Sequence, residues 1–179
     1  ESNHRIMFHE SLSSAGAFLP KNEDFKKLKP NKGIEAIATN SAGEIFAIPE
    51  EPPGSDIDFP IYKLSGNKWS IFSRFPASES FLVTEAVFLP DGNLLILERD
   101  YDWEVGFKMQ LRILSVKNNK ITGQTKLLKI NTGIHNHEGL SLWRNGSEEF
   151  FITSISDNNF LPFITSEIKE FRLRKIGIK

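Results

Sequence analysis

The chain has 179 residues, a formal net charge of −1 and no cysteine. That length allows one domain with a sizeable core. The balanced charge leaves no electrostatic footprint for nucleic acid, and the lack of thiols excludes disulfides, thiolate metal sites and a cysteine nucleophile. No apolar run approaches the ~18 residues of a membrane-spanning helix, and no signal peptide opens the chain.

In chain order, nearly every segment reads as strand. Residues 4–8 and a short piece near Ala17 are extended. The opening residues read as the start of a strand rather than a natural terminus, so a preceding region is expected. Residues 21–32 form a lysine-rich polar loop, and 20–29 is the one weak helix candidate. Residues 33–39 and 44–49 make a hairpin about Asn40-Ser41-Ala42-Gly43. After a Pro/Gly/Asp-rich loop, 61–64 and 68–75 make another about Gly66-Asn67. The next unit copies this with 85–89, the turn Pro90-Asp91-Gly92 and 93–97, then 108–116 and 121–130. A third has 138–143, the turn Asn145-Gly146-Ser147, 150–155 and 167–173.

A repeated phrase underlies the copies: Gly33-Ile34-Glu35-Ala36-Ile37-Ala38, Thr84-Glu85-Ala86-Val87-Phe88 and His137-Glu138-Gly139-Leu140-Ser141-Leu142. Glu35 and Glu85 are 50 positions apart, and Glu85 and Glu138 are 53 apart. A period near fifty built of short strands indicates β-propeller blades. The expected fold is therefore all-β: a partial propeller of strand groups two, four, four and three, with blade units at 33–75, 82–131 and 136–174. The terminal sheet faces would be apolar and open, so the rest of a propeller or a second copy of the chain is expected to cover them.

Counting outward from each turn, Glu35 falls level with Glu50, Glu85 with Glu98, and Glu138 with Asp157. Facing carboxylates repel, and hard oxygen ligands suit Ca²⁺ or Mg²⁺. This makes Glu35, Glu85, Glu98, Glu138 and Asp157 candidate metal ligands. Arg99, Asp100, Asn158 and Asn159, beside them, are candidates for ligand binding. Such acids equally serve as loop caps and backbone acceptors. His135-Asn136-His137-Glu138 looks like a metal motif but sits where a loop enters a strand. Trp69, Trp103 and Trp143 read as inter-blade packing, with Trp103 the best placed to touch a ligand. No nucleophile–base spacing and no glycine-rich phosphate loop is present, so no catalytic residue is identifiable.

The segments Asn31-Lys32-Gly33-Ile34-Glu35-Ala36, Leu82-Val83-Thr84-Glu85-Ala86-Val87-Phe88-Leu89-Pro90-Asp91-Gly92, Leu95-Ile96-Leu97-Glu98-Arg99-Asp100-Tyr101 and Ile155-Ser156-Asp157-Asn158-Asn159-Phe160 resemble the bacterial phytase-like propeller family, "esterase-like activity of phytase". His137 departs from it, since the family more often has an aromatic residue there. The resemblance implies a propeller of about six blades, of which this chain carries the C-terminal part, and a periplasmic or secreted protein. Two functions are compatible. One is hydrolysis of phosphate or carboxylic esters with a divalent cation at the acidic channel mouth; the other is non-catalytic binding of a small ligand or a partner protein.

Overall fold

A computed structural model describes residues 4–146 and 149–174. The short strands β1 (Met7–Phe8) and β2 (Ala17–Phe18) form a two-stranded ribbon. Then come β3 (Ile34–Thr39), β4 (Ile45–Pro49), β5 (Asp58–Ser65) and β6 (Lys68–Pro76), one four-stranded antiparallel sheet. A second has β7 (Leu82–Phe88), β8 (Leu94–Asp102), β9 (Gly106–Lys117) and β10 (Lys120–Gly133). The last has three strands: β11 (Asn136–Arg144), β12 (Phe150–Asp157) and β13 (Ile168–Leu173). The strand groups are thus two, four, four and three, as the repeats predict, and the molecule is part of a β-propeller. Among the described residues, no helix is long and apolar enough to cross a membrane.

The weak helix signal at 20–29 resolves into one 3₁₀ turn, Glu23–Lys27, capped by the Asn22 side chain, which accepts from the Asp24 N–H. The turn buries Phe25 edge-on against Tyr62, at 5.2 Å between ring centres. Trp69 closes the same cluster and donates to the Pro20 carbonyl at 2.8 Å. Its role is to hold the N-terminal segment against the first four-stranded sheet. The other face of that sheet packs Phe46, Ile48, Phe59, Ile61 and Phe75 against Ala86, Leu94 and Ile96 of the next. The far face of the second sheet packs Leu95, Leu97, Met109 and Leu111 against Ile152 and Leu140 of the third. Each large side chain so buried contributes about 1.5–3 kcal/mol, so the sheets are stacked by apolar contact. Trp143, by contrast, stacks on Phe151 on the outer face of the last sheet and is 40% exposed.

Each first hairpin of a sheet contains one β-bulge on its inner strand: between Ile34 and Ala36, between Val83 and Glu85, and between His137 and Gly139. A bulge adds one residue to one strand, so counting from the turn fails beyond it. Glu98 therefore faces Val83, and Glu85 faces Leu97. Asp157 faces Asn136 rather than Glu138. Glu35 and Glu138 are themselves the bulged residues, whereas Glu85 lies one place past the bulge, level with Ala36 and Gly139. The facing of the acid pairs, and the strict equivalence of the three glutamates, are both corrected by this shift. The turn centres are as expected, with Thr39 opposite Ile45, Phe88 opposite Leu94 and Arg144 opposite Phe150. Ser147 of the third turn lies outside the described residues.

Candidate ligand-binding cleft beside the channel

The ends of β8, β10 and β12 and the starts of β9 and β11 meet at one end of the stacked sheets. Between the second and third sheets they enclose a cleft of about 490 Å³, within the ~300–1,000 Å³ typical of small-molecule sites. Its polar side is made by Arg99, Asn136, Glu138 and Asn159, and its apolar side by Tyr101, Phe107, Ile134, Leu161 and Ile164. Gly106 and Gly133 complete the lining. Gly106 has φ of +81°, and a Cβ there would stand 2.2 Å from the Gly133 carbonyl oxygen. Only glycine allows these two connections to touch.

Arg99 spans the polar side. Its Nη2 donates to Glu50 Oε1 at 2.9 Å, and its Nε lies 3.4 Å from Glu138 Oε1. Lys32 Nζ, at 2.7 Å, supplies Glu50 with a second cation. Asn136 is 3% exposed. Its amide nitrogen donates to Glu138 Oε1 at 2.7 Å and to Asn159 Oδ1 at 3.5 Å. Its Oδ1 is buried with no hydrogen-bond partner, and Arg99 Nε makes no hydrogen bond either. Buried polar groups are almost always paired; these two lie beneath the cleft wall, Arg99 Nε held by its charge against Glu138. Tyr101 packs against Phe107 at 4.9 Å between centres and is 61% exposed.

Of the residues singled out in the sequence, Arg99, Glu138 and Asn159 meet in this cleft. The others lie elsewhere. Glu98 is fully buried between β8 and β9, where Arg112 Nε donates to it at 2.7 Å, Arg112 Nη2 donates to its other oxygen, and Gln110 donates at 2.9 Å. Burial pushes the Glu98 carboxyl above its ordinary range, against the pull of Arg112. Asp100 faces Lys108 at 3.4 Å. Asp157 and Asn158 shape the loop after β12, accepting from the N–H groups of Asn159 and Phe160. Trp103 is 83% exposed in the turn after β8 and does not line the cleft.

Glu85 lines a second, smaller hollow of about 260 Å³, where β3, β7 and β11 come together. Its Oε1 accepts from the Ala86 N–H at 2.9 Å. Burial raises its pKa, and the nearby charge of Glu35 adds to the rise. The five candidate metal ligands therefore do not converge: Glu98 and Glu138 are held by arginines, and Asp157 is a loop acceptor. Among the described residues, no three His, Asp or Glu side chains form a group able to hold a metal ion.

The histidine motif divides in the same way. His135 Nδ1 faces the Thr165 carbonyl at 3.2 Å, outside the strand. His137 is 1% exposed, with Nδ1 2.9 Å from Ser154 Oγ and Nε2 3.1 Å from Glu167 Oε1. Serine, histidine and a carboxylate in line suggest a hydrolytic triad. Ser154, however, is completely buried, so its hydroxyl cannot meet a substrate. The trio ties β11, β12 and the approach to β13 together. Burial lowers the His137 pKa, with Glu167 opposing.

Asn136, Tyr101 and Phe107 are among the cleft residues that the sequence alone does not assign. Tyr101 directly follows Glu98-Arg99-Asp100, and Asn136 lies between His135 and His137.

The model of the phytase-like family, described as "Esterase-like activity of phytase", matches residues 3–160. No curated protein sequence matches. Two crystal structures of proteins of unknown function are similar in fold. One, from Bacteroides caccae, is 15% identical, covering 90% of this chain and 56% of its own, with a TM-score of 0.44. The other, from Dyadobacter fermentans, is 12% identical, covering 92% of this chain and 49% of its own, with a TM-score of 0.46. The chain thus spans about half the length of these structures.

Proposed function

This chain belongs to the phytase-like family, and from that premise we propose that it binds an ester of a carboxylic or phosphoric acid in the Arg99 cleft and hydrolyses it. One observation carries the reading: the Arg99 guanidinium and the Glu138 carboxylate, 3.4 Å apart, line one cleft against an apolar wall. Arg99 would hold the carbonyl or phosphoryl oxygen where negative charge develops. Glu138, lining the same cleft, would take a proton from an attacking water. Water oxygen bonds to the acyl carbon or phosphorus, the ester bond to the alcohol oxygen breaks, and that oxygen leaves with the proton from Glu138.

The test is turnover of p-nitrophenyl acetate, butyrate and phosphate by the protein at its natural length, with the Arg99→Gln and Glu138→Gln variants beside it. Loss of about 100-fold or more in both is expected from removing a charge-stabilising donor or a general base. Unchanged turnover in variants that melt like the parent would overturn the assignment.

A non-catalytic binding module is the second reading. It draws support from Glu138 itself, whose Oε1 is already committed to both Arg99 and Asn136. A divalent cation, Ca²⁺ foremost, is a further proposal confined to Glu35 and Glu85, the two acids close enough for one to raise the other's pKa. We also place the protein outside the cytoplasm, as its family suggests; cell fractionation tests this. The rest of the propeller, or a second copy, would cover the outer face of the last sheet.

A further inference from the structure

Resting on that assignment of the cleft, we propose that its ligand is a neutral or singly charged sugar, free or as the alcohol part of an ester, and not a polyphosphate. Three observations converge.

The first is charge. Among the described residues lining the cleft, the one guanidinium, Arg99, is already faced by two carboxylates, Glu50 at 2.9 Å, which Lys32 also pairs at 2.7 Å, and Glu138 at 3.4 Å. Asp100 and Asp102 share the single ammonium of Lys108 next to it. A ligand carrying several phosphates would meet as much negative charge as positive, and like charges in a partly desolvated site repel strongly. One carboxylate, or none, is what this balance tolerates.

The second is hydrogen-bond demand. Glu138 and Asn159 line the cleft with a carboxylate acceptor and an amide that both donates and accepts. A fully ionised phosphate or carboxylate offers acceptors only and would meet Glu138 with no proton to share. A hydroxyl both donates and accepts, so neighbouring hydroxyls suit both side chains.

The third is the wall. Tyr101 keeps most of its surface open, while Phe107 braces it from the side. An aromatic face carries partial negative charge and attracts the polarised C–H bonds on the apolar face of a sugar ring. Polar groups on one side and an aromatic platform on the other match the two faces of such a ring.

The probes are methyl β-D-glucoside, glucuronate, inorganic phosphate and myo-inositol hexakisphosphate. Binding is read by saturation-transfer NMR and calorimetry on the parent and on Tyr101→Ala, Tyr101→Phe and Asn136→Leu. Tyr101 is exposed enough for its variants to fold. Expected are binding of at least one sugar probe, a loss of about tenfold or more with Tyr101→Ala, equivalent to ~1.4 kcal/mol, and near-parent binding with Tyr101→Phe. Asn136→Leu should also weaken the sugar, because the Asn136 amide holds Glu138 at 2.7 Å. No sugar binding, sugar binding indifferent to Tyr101→Ala, or binding of the hexakisphosphate tighter than both sugars and lost in Arg99→Gln each overturns the inference. If simple esters are turned over through Arg99 while no sugar binds, the hydrolase assignment stands and the sugar inference alone falls. Sugar binding without ester turnover has the reverse meaning.

Discussion

Glu98 and Arg112 form a two-pronged ion pair between adjacent strands, with both side chains almost fully buried. Gln110, directly opposite Glu98 in the β8–β9 register, adds a third donor, while Arg112 also donates to the Pro76 carbonyl and to Gln124 Oε1. The pair has a structural role: it joins β8, β9 and β10 and reaches the end of β6. Removing one partner of a buried pair strands a charge and costs about 3–5 kcal/mol, whereas replacing both with apolar groups can be nearly neutral. Arg112→Met is therefore expected to destabilise strongly, and Arg112→Met with Glu98→Leu to recover most of the loss. Chemical denaturation of the four-member cycle checks this; additive losses would contradict it.

His137 predicts an acid sensitivity. Burial between Ser154 and Glu167 holds its pKa below the ordinary histidine value. With the folded-state pKa depressed, its contribution is full above the unfolded value of ~6.5 and is lost as pH falls through the folded value. Melting temperature measured from pH 7.5 down to pH 5 should fall, and more steeply in the parent than in His137→Phe, whose ring does not titrate. Parallel curves would remove His137 as the cause.

Glu85 has the opposite sign. Burial and the charge of Glu35 raise its pKa, so its protonated form suits the fold and its ionisation costs stability as pH rises through the raised value. Glu85→Gln, which keeps the acceptor for the Ala86 N–H, should raise the melting temperature at pH 7 and leave it unchanged near pH 4. The same variant tests the cation proposal. Ca²⁺ at Glu35 and Glu85 would stabilise the parent by mass action and not Glu85→Gln; a parent whose melting ignores both Ca²⁺ and chelator ends that proposal.

Gly106 should not tolerate a side chain. Alanine at φ +81° is strained by about 1–3 kcal/mol, and its Cβ would collide with the Gly133 carbonyl at 2.2 Å. Gly106→Ala is expected to lower stability by at least that amount and to widen the cleft. Ligand affinity and melting temperature measured together check both consequences, and a neutral outcome in both would contradict the close approach.

The outer face of the last sheet exposes Trp143, Ile155 and Ile168 at 40%, 46% and 65%. Such apolar faces are rarely left bare. Sedimentation of the chain alone is expected to show self-association, reduced by Ile168→Lys. A stable monomer at tens of micromolar would contradict this.

The repeat phrases made the sheets legible because their signals are local: alternation, turn glycines and a constant period. The bulges were not legible, since a residue added to a strand leaves the alternating pattern beyond it looking intact. The pairing of Glu98 was hidden for another reason: its cation stands on β9, fourteen residues away. A signal did exist, because Gln110 and Arg112 interrupt an otherwise apolar run from Met109 to Leu114 in a central strand. Buried polar residues in such a strand need a partner on a neighbouring strand, and Glu98 was the available one. The cleft could not be read because Arg99, Asn136 and Phe107 come from three strands whose ends meet only once the sheets stack.

The most direct measurement is a crystal structure of the protein soaked with methyl β-D-glucoside or a p-nitrophenyl ester. The ligand is predicted between the second and third sheets, with its polar groups on Arg99 and Glu138 and its apolar face over Tyr101 and Phe107. A ligand seated instead in the hollow lined by Glu85 and Ser141, leaving the Arg99 cleft empty, would contradict the account.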